Sequence, residues 1–228
     1  MQGILKRFLD TFPIVRRFTR WLRWQSKKVP LLRELSMAVD RWYFSQSGAE
    51  RPDEHEAGDG DEYFEKYATA LLEKAAGRVL DIGCGHGYLT RRLAQKSEVS
   101  EVVAIDKIQD FSFENDKIKF QSADFSKNYY LPQGFDTIVS SEFIEHLAEE
   151  DYRALLSEIT KSLHPEGKYL GSTPLNPTPY KVFSGSRFHL REYNKKDLEN
   201  ILREYFENVF VAPLSEYCLF WEASHPRT

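Results

Sequence analysis

Cysteine is almost missing from this 228-residue sequence. Cys84 and Cys218 stand far apart, in no metal or redox spacing, so a disulfide framework and a cysteine-bound metal are both excluded. Such usage predicts a reduced, cytoplasmic protein. No run reaches the roughly 18 apolar residues that a membrane-spanning helix requires. A secretory leader is not expected either, because Lys and Arg interrupt the apolar residues near Met1. The net charge of −4 gives no general attraction to nucleic acid. Internal repeats and low-complexity tracts are also lacking. What is present is the balance of a globular protein, 41% hydrophobic and 29% charged residues. The length allows one substantial domain and an appendage.

The charge is unevenly spread. Residues 1–30 hold eight basic side chains against Asp10, a net +7, so the remainder of the −4 chain carries −11. Within that basic stretch Ile4, Leu5, Phe8, Leu9 and Phe12 recur at helical spacing. Ile14, Val15, Phe18, Trp21 and Leu22 do so again beyond Pro13. Three readings fit a basic amphipathic segment: an anionic membrane surface bound through residues 1–28, a lid or self-association element, and an RNA contact. The first would put the protein peripherally at the inner face of a membrane. Residues 1–45 are expected to form this helical extension and residues 46–61, polar and acidic, a linker. Residues 62–228 form the expected catalytic domain.

In that domain short apolar runs alternate with amphipathic ones. A helix over about 61–76 precedes a strand at Arg78–Ile82, and a helix over 88–97 follows it. Further strands are predicted at Glu101–Asp106, Lys117–Gln121, Phe135–Ser140 and Gly167–Ser172, with helices near 149–163 and 195–204. Val209–Ala212 and Tyr217–Trp221, joined by a short Pro-bearing link, close the chain as an antiparallel pair. The fold class is α/β: a Rossmann-like, mostly parallel seven-stranded sheet with helices on both faces.

The first strand runs into Asp81-Ile82-Gly83-Cys84-Gly85-His86-Gly87. Tyr88 and Thr90 stand where G-x-G-x-x-G would require glycine, so a dinucleotide fingerprint fails in both registers. Acids recur after the next two strands, at Asp106 and, in Ser122-Ala123-Asp124-Phe125, at Asp124. Three acids and a glycine turn beyond three successive strands mark the ligand-binding edge of an open α/β sheet. The D-x-G-x-G-x-G turn resembles motif I of the class I S-adenosylmethionine-dependent methyltransferases, over roughly residues 62–222. That resemblance implies S-adenosylmethionine as cofactor, with Asp81, Gly83, Cys84, Gly85 and Gly87 around its amino-acid end. It also implies Asp106 and Lys107 at the ribose, and Asp124 and Phe125 at the adenine.

After the fourth strand Glu142, Glu145 and His146 are spaced i, i+3, i+4, which on a helical turn puts them on one face. His189, beyond the fifth strand, is expected on the same sheet edge. The segment resembles the E-x-x-E-H of ubiquinone-biosynthesis O-methyltransferases and of small-RNA 2′-O-methyltransferases. Three roles stay open: a divalent site, Mg or another metal, at Glu142, Glu145, His146 and His189; metal-free catalysis by His146, His189 and Glu142; or packing. Ser172–Pro179 and Phe188–Tyr193 resemble segments of the same broad family. Arg187 and Arg191 face an anionic acceptor or form a surface ion pair, for instance with Glu192. The leading expectation is O-methylation of a hydroxyl on a small, lipid-linked or glycan acceptor. RNA ribose methylation and a catalytically silent binding subunit are the alternatives. The sequence does not specify the oligomeric state.

Overall fold

The computed structural model describes residues 62–107, 113–125, 130–176, 189–215 and 218–227. The expected extension and linker, together with Arg187, Phe188 and Tyr217, lie outside the described residues.

Seven strands form one sheet: β1 (Gly77–Ile82), β2 (Val99–Asp106), β3 (Ile118–Ser122), β4 (Phe135–Ser141), β5 (Leu163–Pro174), β6 (Phe206–Pro213) and β7 (Cys218–Pro226). Their spatial order is β3-β2-β1-β4-β5-β7-β6. The first five are parallel, whereas β7 runs antiparallel to both β5 and β6. Successive strands move outward from β1 to β3, and the chain then returns to β4 on the other side of β1. That reversal opens the crevice between β1 and β4 in which such sheets bind ligands. The closing pair is antiparallel, as its short link predicts, with β7 inside and β6 at the edge.

Period-two alternation divides the strand side chains between two cores. Leu80, Ile82, Val103, Ile105 and Ile138 face one side. There they meet Tyr152, Leu155, Leu156 and Ile159 of α3 (Glu149–Ser162) and Leu198, Ile201 and Leu202 of α4 (Lys195–Arg203). Val79, Val102 and Val139 face the other, against Ala68 and Leu71 of α1 (Glu62–Lys74) and Leu89 and Leu93 of α2 (Tyr88–Gln95). Asn194 caps α4 by accepting from the Asp197 N–H.

β5 starts four residues before its predicted Gly167, at Leu163, and its ladder with β4 shifts register between Phe135 and Thr137. A register shift cannot be read from alternation alone, because the extra residues belong to one strand only. Gly171 lies under the indole of Trp221, which is fully buried on β7, and a Cβ there would overlap that ring. Gly171→Ala should therefore destabilise the fold by about 1–3 kcal/mol through overpacking. An unchanged midpoint in urea unfolding would contradict this packing account.

Candidate active site

The glycine turn hangs from the end of β2. Ile105 carbonyl oxygen accepts from Gly83 N–H (2.8 Å) and Cys84 N–H (3.2 Å), and Asp106 Oδ2 accepts from Gly85 N–H (2.9 Å). Two glycines meet different demands. A Cβ on Gly83, at φ 73°, would overlap the Phe143 ring, whereas a Cβ on Gly85, at φ 51°, would meet nothing within 4 Å. Gly83 is small because protein fills the space. Gly85 borders open space in which a bound molecule can approach backbone. Gly87, covered by the Phe113 ring, precedes the first turn of α2. Cys84 is buried, its thiol pushed up well above the ordinary range by burial.

Asp81, 1% exposed, accepts from Thr90 Oγ1 of α2 at 2.6 Å. Burial pushes its carboxyl up to about 7, with the nearby Asp106 charge adding to the shift and the Thr90 bond opposing it. Lys107 is exposed beyond β2, and Asp124 is half-buried beyond β3. Phe125 is buried and meets Phe143 edge to face, with ring centroids 5.3 Å apart.

The segment after β4 departs from the expected single helical face. Only Ile144–His146 coils, as a 3₁₀ turn, and Glu142 precedes it in the left-handed region at φ 50°. Glu142 thus turns toward β5 and β7: its N–H donates to Ser172 carbonyl oxygen at 2.9 Å, and Cys218 Sγ lies 3.8 Å from its Oε1. Glu145, 1% exposed, accepts from Thr173 Oγ1 at 2.9 Å. Its backbone carbonyl accepts from Leu190 N–H (2.7 Å) and Arg191 N–H (3.1 Å), which draws the segment carrying His189 onto the turn.

Glu145, His146 and His189 consequently come together, with one ligand atom from each lying within 4.8 Å of the others. Glu142 is not in that group. The two imidazoles meet edge to face at 5.2 Å, and His146 Nε2 lies 3.9 Å from Glu145 Oε1. His189 Nδ1 lies 2.7 Å from Oε1 of the buried Glu192. Arg191 pairs with Glu149 rather than Glu192 and rests over the Tyr193 ring. Burial and the neighbouring Glu142 and Glu192 carboxylates hold Glu145 well above the ordinary carboxylate range, and burial pushes Glu142 up to about 7. Thr173, Cys218, Thr90 and Phe143 entered no motif. Each acts through a partner on another element, although the Ser-Thr-Pro segment at 172–174 was itself visible.

A family model described as a methyltransferase domain matches residues 55–210. The chain belongs to this methyltransferase family. It is 29% identical over 155 residues to an uncharacterised methyltransferase of Staphylococcus carnosus, covering 64% of this chain and 72% of that one. It is 34% identical over 124 residues to the ubiquinone biosynthesis O-methyltransferase of Xanthomonas euvesicatoria, covering 50% of this chain and 49% of that one. The chain thus spans about half the length of the latter, and 60% of matching mycobacterial methyltransferases. The fold is that of human N-acetylserotonin methyltransferase in complex with SAM, with a TM-score of 0.57 at 21% identity over 70% of this chain and 50% of that one. Family match and fold agree: the described residues form a Rossmann-like methyltransferase fold.

The open face of Gly85 leaves room for the S-adenosylmethionine that the glycine turn leads one to expect. Gly85→Ala should fold, at a cost of ~1–2 kcal/mol for its left-handed backbone, yet lose measurable affinity for S-adenosylhomocysteine in calorimetry. Wild-type affinity in this variant would show that Gly85 does not border the cofactor.

Asp81 also makes ligand-free stability depend on pH. Its folded value, about 7, exceeds its ordinary 3.8, so its contribution is complete below pH 3.8 and is lost as pH rises through about 7. The stability of wild type relative to Asp81→Asn should fall across that window in urea titrations. A pH-independent difference would mean that Asp81 is ionised throughout.

Proposed function

We propose that the methyltransferase transfers its methyl group to a hydroxyl oxygen on a small or lipid-linked acceptor. In this reading a divalent cation held by Glu145, His146 and His189 assists the reaction. The observation that carries the proposal is the meeting of these three side chains within 4.8 Å, next to the segment that packs on the glycine turn. The donors are one carboxylate and two imidazoles, a set suited to borderline divalent ions. The surroundings support a cation as well: Glu142, Glu145 and Glu192 converge where buried negative charge is costly without a positive partner. Glu192 at His189 Nδ1 matches the carboxylate–histidine arrangement that orients ligating imidazoles.

S-adenosylmethionine would supply an activated sulfonium methyl carbon for the acceptor oxygen, with S-adenosylhomocysteine as the leaving group and the hydroxyl proton released to water. Asp81, Gly83, Cys84, Gly85 and Gly87 would border its amino-acid end, Asp106 and Lys107 its ribose, and Asp124 and Phe125 its adenine. A cation at the three ligands would lower the pKa of the acceptor hydroxyl. Thr173 restrains Glu145, and Glu192 keeps His189 in one ring orientation. Glu142 adds a carboxylate alongside, turned in by its left-handed backbone. The likeness to the Xanthomonas O-methyltransferase supports oxygen as the accepting atom. The +7 charge of residues 1–30 supports an acceptor reached at an anionic membrane surface. No helix among the described residues is long and apolar enough to cross a membrane.

Mn²⁺ titrated into the S-adenosylhomocysteine complex should bind one ion per chain, and His189→Ala or Glu145→Gln should weaken it about 10–100-fold or more. The cation reading would not survive an absence of binding, or an affinity unchanged in both variants. Sedimentation with anionic vesicles should pull down the full chain but not a chain lacking residues 1–28. Equal, negligible sedimentation of both would remove the membrane surface from the proposal.

A further inference from the structure

Phe143 sits between the two halves of the site and belongs to neither in any motif. Three contacts converge on it. Its side chain occupies the space where a Cβ of Gly83 would lie, so the glycine turn closes directly on it. The same ring meets Phe125, beside the adenine-side acid Asp124, with centroids 5.3 Å apart and planes at 71°. Its carbonyl oxygen accepts from His146 N–H at 3.0 Å and so starts the 3₁₀ turn that presents Glu145 and His146. Backbone and side chain of one residue therefore hold opposite sides of the reaction centre. The left-handed Glu142 immediately before it fixes the direction in which that ring leaves β4.

We propose that Phe143 is a positioning residue that couples the glycine turn to the Glu142–His146 turn, so that filling the cofactor side orders the acceptor side. This rests on the cofactor reading of the glycine turn and not on the cation. The ring held against Gly83 and Phe125 has little room to change rotamer, so displacement of the glycine turn is passed to the Phe143 backbone, whose carbonyl the His146 amide shares. Restraining the glycine turn with a ligand therefore restrains the 3₁₀ turn. Leu or Met at 143 keeps an apolar side chain but loses the planar contact with Gly83 and the edge contact with Phe125.

Hydrogen exchange of the full chain, read by mass spectrometry with and without saturating S-adenosylhomocysteine, tests the coupling. In wild type the ligand should slow exchange in both 83–87 and 142–147, the latter by about fivefold. In Phe143→Leu, with affinity within about threefold of wild type, 83–87 should stay protected while 142–147 loses the ligand-induced slowing. Phe143→Met serves the same comparison should the Leu variant fail to fold. Two results would overturn the proposal: wild-type 142–147 indifferent to the ligand, or full protection of 142–147 in the variant complexes. A wild-type chain with no calorimetric binding and no protection at 83–87 would overturn the cofactor reading itself, a pattern distinct from either.

Discussion

Three backbone N–H groups donated to the last two residues of β2 set the geometry on which the site depends. Gly83 and Cys84 bind one carbonyl oxygen and Gly85 binds one carboxylate oxygen, so the turn after β1 is anchored by its neighbour rather than by its own strand. A turn of alternate left-handed glycines has little stability of its own, because glycine loses the most conformational freedom on ordering. Pairing with β2 offsets that cost, and it does so at the point where parallel register brings Asp81 opposite Ala104 and Ile82 opposite Ile105. Asp106 thus holds the loop from the neighbouring strand through Oδ2.

On the acceptor side the governing constraint is electrostatic. Carboxyls at 142, 145 and 192 are gathered where water is scarce, and each is steadied differently: Glu142 by Ser172 and Cys218, Glu145 by Thr173, Glu192 by His189. A site built this way favours whatever brings a proton or a cation, since unpaired buried charge is among the costliest features a fold can hold. The arginine of the same segment, Arg191, is kept out of the cluster by Glu149 at the start of α3.

Alternation and strand-end acids were enough to predict the sheet, the glycine turn and the adjacency of Asp106, because these depend on local period and on a topology rule. The spacing of Glu142, Glu145 and His146 suggested a shared face, and two of the three do combine with His189. Glu142 departs because a left-handed backbone at a strand tip has no signature in an i, i+3, i+4 count. Thr173 and Cys218 were illegible for another reason. Their partners arrive through the β4–β5 and β5–β7 pairings, and a residue's cross-strand neighbour is fixed by register, which no single segment encodes. Phe143 looked like one apolar residue among many, and its importance comes from the absent side chain of Gly83.

The seventh strand is the last in sequence but not in space: it lies between β5 and β6, with Cys218 beside Glu142 and Trp221 over Gly171. During synthesis, therefore, β5 must wait as an open edge while β6 has no sheet to join. The strand that packs beside Glu142 is the last to emerge. Such late, long-range closure is slow and leaves an unpaired strand edge exposed in the meantime. The complete sheet is thus acquired in one final step of assembly, with the glycine turn held by β2 able to form well before the strand that settles beside Glu142.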